Sequence, residues 1–520
     1  VTNTLDAVRE LSGRAKVSLS VKHGPNMPDD LTGNAAFERV RLRLDHLTLE
    51  DLSGELAFTP ESIEGEQIDA QLAGSPVKLR LALHRYQRED GTFDLEIASK
   101  GIKAETVSAW LIDNPSGRDS GIVRGTVRYT GPIGDGKGRK FTGELELVDV
   151  QLLVKPLLQP LRELVGKISI GESGIVFRDL RGLLAGAPAS ANGRWRYDGK
   201  PQLLFDFVAP SLDITHLISQ IDPESSEFYA NLVAEGKIAL GKGRIKNFDF
   251  TDLRTNASID RRVWRLTQLS AIVAGGTISG VATIFDKPNI LEIAAAPRVQ
   301  DVPVEAFLKW FDMTNTEMTG KVNLTGKLAS VGKNDTERKQ NLNGAFQMKI
   351  QEGTIHRMRI LVQILNLLDL SRWFTLQLPD LAKDGIRFRA ITADFKVVQG
   401  VYATENLVVD SNDLRMTGTG KIDVPKDHLD FVVAVRPFAG IDSALSYIPL
   451  LGRSVAAIKN SFLVASFNIQ GPIENPTITP APLGTVAEWV WGVLGIPKNM
   501  IGWGEGEKRP EPPPEQAPAR

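Results

Sequence analysis

The chain has 520 residues, with 63 acidic and 61 basic side chains and a net charge of −2, which leaves no basic footprint for nucleic acid. It has no cysteine, which excludes disulfides, thiolate metal sites and cysteine nucleophiles. Apolar residues make up 42%, and 47 glycines and 29 prolines punctuate the length evenly; that is a composition of many short strands and turns, spread over more than one ordinary core.

From the N-terminus onward, apolar and polar residues alternate. Val40 and Leu42 alternate with Arg41 and Arg43, and Val77, Leu79 and Leu81 with Lys78 and Arg80. Leu145 and Leu147 bracket Glu146, and Phe205 and Phe207 bracket Asp206. The rows continue through Ile238 and Leu240, Phe248 and Phe250, Val322 and Leu324, and then Phe346, Met348 and Ile350. Phe388, Phe395, Phe431, Val433 and Val435 complete them. A period of two puts the apolar members on one face of a sheet and the polar members on the other, the pattern of an antiparallel sheet with one wet face. About 25 strands are expected, and at ~4.8 Å per strand one continuous sheet would run ~120 Å. Open sheets rarely exceed ~10 strands without curling, so this one must coil, fold over or break into packed pieces. The fold class expected is mainly β: an elongated, curled, mostly antiparallel sheet forming a groove, with a few short amphipathic helices.

One phrase occurs three times, as GIKAETVSAWLID (101–113), LDITHLISQID (212–222) and QDVPVEAFLKWFD (300–312). Each copy follows a strand-like run, predicts a brief helix, and leads into a Gly-punctuated strand: GIVRGTVRYTG (121–131), NLVAEGKIALG (231–241) and MTGKVNLTGKL (318–328). The same corner turned at intervals points to an array of one sheet-building unit rather than a single enzyme core. Elsewhere, Leu361, Ile364, Leu365 and Leu368 have helical spacing, so 357–370 is expected to be an amphipathic helix. Residues 152–166 have similar apolar density, but Pro156 and Pro160 would break or kink a helix there. Residues 443–460 read as two short helices, and 331–340 as a polar loop.

The segments expected are repeated β-groove units over 1–330, a C-terminal β unit with amphipathic helices over 331–480, a Trp-rich segment over 481–506, and a Pro-rich disordered tail over 507–520. Trp489, Trp491 and Trp503 have two readings, as a cap on the end of the sheet or as contacts with a membrane surface. The chain starts at Val1 with neither a signal-peptide pattern nor a transmembrane run, so an export signal or anchor is expected upstream.

No motif carries catalytic chemistry. GPIGDGK (131–137) has the letters of a phosphate loop, but Gly138 stands where the magnesium-holding Ser or Thr belongs, and a strand follows instead of a helix. GTGK (418–421) reads as a strand with glycines. His23, His46, His84, His216, His356 and His428 have no metal-ligand spacing. The expectation is no enzyme, no cofactor and no metal. The apolar rows themselves leave two readings open, a sealed core or an open oily groove for lipid chains, because both use period two.

The stretches LNGAFQMKIQEGTIHRMRILVQILNLLDL (342–370) and DGIRFRAITADFKVVQGVYATENLVVDSNDLRMTGTGKIDVPKDHLDFVVAVRP (384–437) follow one another, then YIPLLGRSVAAI (447–458) and FNIQGPIENPTITP (467–480). In this order they resemble the AsmA-like family, especially its YhdP-type members; the upstream region, roughly 30–330, resembles the family's repeated sheet units by rhythm. The resemblance implies a periplasmic protein of a Gram-negative-type cell, tethered to the inner membrane by an N-terminal anchor, here expected upstream of Val1. It also implies non-enzymatic binding and transfer of phospholipids along an apolar β-groove, from the inner toward the outer membrane. The alternative it implies is a periplasmic β scaffold assisting outer-membrane protein assembly, as in TamB-type proteins, which an unsealed sheet edge would favour. On the groove reading, a single charge on an inner row, Phe431→Asp or Leu324→Lys, should block lipid passage and leave a folded chain.

Overall fold

The structure is a computed structural model and describes residues 8–22, 30–44, 48–111, 119–133, 138–197, 202–221, 230–287, 290–309, 318–356, 385–412, 414–437, 464–473 and 475–481. It divides into two compact units, Val1–Ala274 with Ile278–Asn289, and Gly275–Thr277 with Ile290–Arg520. The expected strand number holds: 25 strands are found among the described residues.

In the first unit the strands are β1 (Val8–Lys22), β2 (Asp30–Leu44), β3 (Thr48–Phe58), β4 (Ser62–Leu72), β5 (Ser75–His84), β6 (Thr92–Lys103), β7 (Ser120–Pro132), β8 (Lys140–Leu152), β9 (Leu161–Gly171), β10 (Gly174–Leu184), β11 (Ala187–Arg196) and β12 (Gln202–Asp213), followed by β13 (Val233–Ile245), β14 (Phe248–Asp260), β15 (Val263–Val273) and β16 (Gly276–Lys287). From β1 to β12 each strand pairs antiparallel with the next. The second unit runs through β17 (Ile290–Pro303), β18 (Lys321–Gly332), β19 (Asn343–Ile355), β20 (Ile386–Val398), β21 (Val401–Ser411), β22 (Leu414–Asp423), β23 (His428–Pro437), β24 (Ala465–Gly471) and β25 (Thr477–Ala481). All its consecutive pairs are antiparallel. Among the described residues neither ladder closes on itself.

Alternation sets the two faces. In β5 the side chains of Val77 and Leu79 are buried, while Lys78 and Arg80 between them are exposed. Burial this deep in a single layer requires the sheet to curl over its own apolar face. The one-wet-face expectation fails in the second unit. On β22 to β24, Thr417, Ala434 and Ser466 are buried as well as Met416, Val433, Val435 and Phe467, so both faces are covered there. Small side chains on the second face (Thr, Ala, Ser) are what close cover over a sheet demands.

The curl has a local cause in the sequence. Arg39, Asp149, Asp179, Asp252 and Asp301 have positive φ near 50°, and each stands at a register shift in its ladder. These are β-bulges, which bend the strand and increase its twist. Asp accepts the left-handed conformation more readily than most side chains. A bulge takes the residue's N–H out of the ladder, and at several sites a side chain on the next strand accepts it: Asp179 N–H donates to Asn192 Oδ1 at 2.8 Å, and Arg39 N–H to Ser53 Oγ at 3.1 Å. Asn192→Ala, which removes the acceptor and leaves the bulge, should cost about 1 kcal/mol and lower the melting midpoint by ~2–4 °C, whereas Asn192→Asp keeps an acceptor and should cost less. Thermal unfolding followed by circular dichroism checks both.

The three corner phrases form helices, but they do not all turn the same corner. Helix α1 (Ala104–Leu111) links β6 to β7, and α3 (Val304–Lys309) links β17 to β18, both antiparallel pairs. Helix α2 (Ile214–Ser219) instead lies in a crossover between β12 and β13, which pair in parallel, Phe207 beside Ile238. All three connectors, 104–119, 214–232 and 304–320, exceed the dozen residues a parallel crossover needs, so length does not distinguish them. What differs is burial. Ala104 of α1 and Val304 and Phe307 of α3 are buried, but α2 buries no residue. Asp213 caps α2, its Oδ1 accepting the His216 N–H at 2.9 Å.

Other expectations change in detail. No residue of 152–166 is helical, as Pro156 and Pro160 require: β8 ends at Leu152 and β9 begins at Leu161. The 331–340 stretch holds the short helix α4 (Asp335–Gln340), capped by Asn334, whose Oδ1 accepts the Glu337 N–H at 2.9 Å. The predicted helices at 357–370 and 443–460 lie outside the described residues, as do the Trp-rich segment beyond residue 481 and the Pro-rich tail. Among the described residues no helix is long and apolar enough to cross a membrane.

Candidate functional site

Every residue singled out in the apolar rows lies on a described strand, and none is exposed. Leu79, Leu147, Leu240 and Phe250 are buried in the first unit, and Leu81, Leu145, Phe205, Phe207, Ile238 and Phe248 half-buried. In the second unit Val322, Leu324, Ile350, Phe388, Phe431, Val433 and Val435 are buried, and Phe346, Met348 and Phe395 half-buried. The ladders bring these rows into register. Leu79 stands opposite Ile97 and Leu81 opposite Leu95; Val322 stands between Val302 and Ile350, and Leu324 between Val299 and Met348. Phe346 meets Phe395 across β19 and β20 in a stacked pair with centroids 5.0 Å apart.

The glycines that punctuate the strands have a role here. Phe431 lies opposite Gly420 and Phe346 opposite Gly326, and a Cβ added at either glycine would come within 2.6 and 2.4 Å of the facing phenylalanine respectively. Phe250 opposite Gly243 is tighter still, with the ring 2.2 Å from such a Cβ. The aromatic ring lies over bare backbone, which keeps the inner surface low and continuous.

Sealing is uneven along the first unit. Leu49, Ile68, Leu72 and Leu79 form one buried cluster across β3 to β5. Next to it, between β6, α1, β7 and β8, lies a small, partly open apolar pocket with a cavity volume of ≈ 50 Å³, lined by Ile97, Ile102, Val107, Val123, Val127 and Leu145. Further on, β10 and β11 bury none of their apolar side chains; Val176, Leu180 and Trp195 are all half-buried. The other end of the gradient is β1, whose inner-face residues Leu11, Val17, Leu19 and Val21 are 68, 55, 44 and 56% exposed. They continue the row of Phe37, Ala35 and Gly33 on β2, since Val17 pairs with Ala35 and Leu19 with Gly33.

The outer face carries the charge. Arg128 Nε donates to Asp94 Oδ1 at 2.8 Å, and that hydrogen bond holds the Asp94 carboxyl below the usual carboxylate range. In the second unit Asp410, Arg415 and Arg436 stand in one cross-strand row. Arg389 Nη2 donates to Asp410 Oδ1 at 3.1 Å, and Arg415 Nη2 lies 3.4 Å from the same oxygen. Burial first, and then the Arg415 charge, lower the pKa of Arg436.

The sequence motifs with chemical overtones fall into place as structure. Thr130 pairs with Lys140, so GPIGDGK joins two antiparallel strands, with 134–137 outside the described residues. GTGK lies in β22. Among the described residues no group of three or more His, Asp or Glu side chains could hold a metal. Two parts of the site were missed from sequence. The pocket under α1 combines residues from four elements and has no contiguous signal. The β1 row is written in AKVSLSVK (15–22), whose alternation was legible.

Residues 245–478 match the family described as YhdP protein. Protein AsmA of Escherichia coli (strain K12) is 20% identical over 241 residues, which cover 46% of this chain and 39% of AsmA. The chain thus matches about two fifths of that relative's length. No solved structure matches the chain. Strands β14 to β24 fall inside the YhdP match. The described part of the motif run of residues 342–480 lies on β19 to β25, and over residues 245–478 the chain is similar to AsmA-like proteins of YhdP type.

Proposed function

We propose that this chain binds phospholipid by its acyl tails along the apolar inner face and passes it between the inner and outer membranes, without catalysing a reaction. Its place would be the periplasm, associated with the inner membrane. The likeness to YhdP and AsmA supports an envelope-related role in lipid transport or assembly. The observation that favours transport is the inner face itself, an in-register row of Leu, Ile, Val and Phe that is left half-buried on β10 to β12 and around the pocket under α1. Each methylene taken out of water gains about 0.8 kcal/mol, so a row of this kind holds a tail without directional bonds. Many equivalent weak sites allow passage where one deep pocket would trap the lipid. The charged outer face stays in water, and headgroups would ride at the margin of the groove.

Mass spectrometry of the purified protein under native conditions should find co-purifying phospholipid at near-stoichiometric amounts or above. Protein free of lipid, and unable to take up a spin-labelled phospholipid from vesicles, would sink the proposal. A second reading is a periplasmic β scaffold for outer-membrane protein assembly. Recovery of an outer-membrane barrel with lipid-free protein would select it.

A further inference from the structure

Four tyrosines lie among the described residues, and they divide by place. Tyr86 and Tyr197 stand beyond strand ends, and each hydroxyl donates to a backbone carbonyl, Thr59 O at 3.2 Å and Gly171 O respectively. Tyr129 and Tyr402 stand on the inner face, one in each unit, and neither hydroxyl has a hydrogen-bond partner among the described residues. Tyr129 on β7 pairs with Leu95 and Phe141, and Leu81 follows Leu95 in the same row. Tyr402 on β21 pairs with Val397 and Ile422. Each has a phenylalanine edge-on to its ring, Phe93 at 5.0 Å and Phe346 at 6.3 Å between centroids. Both tyrosines are half-buried, and burial raises the pKa of the Tyr402 phenol, which keeps it a donor. A phenol taken this far out of water normally finds a partner. Here the apolar row offers none, and the donor is left for a ligand's acceptor.

Both hydroxyls are placed near the margin of the inner face. β7 closes at Pro132, shortly after Tyr129, and Tyr402 follows Val401 at the start of β21. At such a margin the apolar row meets the polar turns. In the first unit Arg139 stands one residue beyond the Thr130–Lys140 pair, its guanidinium over the Phe93 ring at 5.5 Å from the centroid. From the row outward the order is hydrocarbon, hydroxyl, cation. A glycerophospholipid presents its tails, ester carbonyls and phosphate in that order.

On the reading that the inner face carries phospholipid, we propose that Tyr129 and Tyr402 set its specificity: each donates a hydrogen bond to an ester carbonyl of a diacyl glycerophospholipid and fixes how deep the tails enter. An ester carbonyl is a good acceptor and an ether oxygen a poor one. The same lipid with ether-linked chains would leave the phenol unpartnered, at a cost of ~5-fold in affinity for one hydrogen bond. A hydroxyl with no partner in the lipid-free protein can be removed without loss of a fold-stabilising bond, so Tyr→Phe tests the ligand and not the fold.

The test uses the full chain and two phosphatidylglycerols with the same chain length, one with ester-linked and one with ether-linked chains. They are offered as an equimolar mixture at less than one lipid per chain, and the bound species are counted by native mass spectrometry. The unaltered chain should hold the diester lipid in ~5-fold excess. Tyr129→Phe/Tyr402→Phe should bring the ratio close to one, whereas Tyr197→Phe, away from the inner row, should keep the excess. Unchanged circular dichroism spectra and melting midpoints of the lipid-free variants keep folding out of the comparison. A ratio of one on the unaltered chain overturns the proposal and leaves the lipid reading standing. So does an excess that survives the double substitution, which makes water the partner of both phenols. Equal losses of both lipids in the double variant also overturn it, in favour of a contact with the phosphate that the two share. No lipid of either kind on the unaltered chain overturns the proposal together with the reading beneath it.

Discussion

Val322→Asp should leave little folded second unit. Val322 is 0% exposed and sits on β18 between Val302 and Ile350. A carboxyl there has apolar neighbours on both flanking strands, and taking it out of water without hydrogen-bond partners costs ~4 kcal/mol or more. At ~2–4 °C per kcal/mol for a unit of this size, the midpoint should fall by about 8–16 °C, with a large drop in soluble yield. Burial raises the pKa of the introduced Asp, so the folded state binds a proton that the unfolded state releases above about pH 4. The deficit should therefore shrink as pH falls toward 4 and be largest at neutral pH. Val322→Ala removes volume without charge and should cost only about 2 kcal/mol, with no such pH dependence. Thermal melts of both variants across pH decide it; equal deficits for Asp and Ala at pH 7 would refute a dry setting for this row.

The same physics decides where the groove can be probed. Leu324 and Phe431 are only 8 and 9% exposed. A charge at either would unfold the sheet before it tested transport, so the expectation of a folded, blocked chain does not hold for them. Met348 is the better position. It is half-buried on the inner face of β19, between Leu324 and Ala393, and its neighbour Lys349 points outward from the same strand. Met348→Glu should reduce phospholipid transfer between donor and acceptor vesicles ~100-fold, because a charge that opposes a passing tail by about 3 kcal/mol slows it by that factor. Lys349→Glu changes charge on the wet face and should leave transfer unchanged. Phe205→Glu, half-buried on β12, should repeat the effect in the first unit. Matching losses for Met348→Glu and Lys349→Glu would mean that transfer follows net charge and not the inner face.

Much of this architecture is legible in single rows of residues. The alternation of Val77, Lys78, Leu79 and Arg80 states which side chain faces inward, because a strand's geometry leaves no other choice. The phrases at 101–113 and 300–312 announce a helix packed on a sheet, and Ala104 and Phe307 are buried as that reading requires. The phrase at 212–222 reads alike but leads into a parallel pair. That choice is made by which neighbour β13 finds, and no local spacing records it. The bulges at Asp179 and Asp301 are similar. An Asp among alternating residues looks like any solvated carboxylate until a facing Asn, Asn192 or Asn323, is seen to take its N–H.

Taken alone, the chain's order of residues determined the strand-rich class, the strand number, the inward rows and the resemblance to AsmA-like proteins. These depend on local geometry and on patterns read along one segment at a time. Tertiary structure decided how tightly each row is covered: dry at Val322, half-open on β10 and β11, bare on β1. Burial is a property of what stands across from a side chain, and those neighbours come from strands tens of residues away.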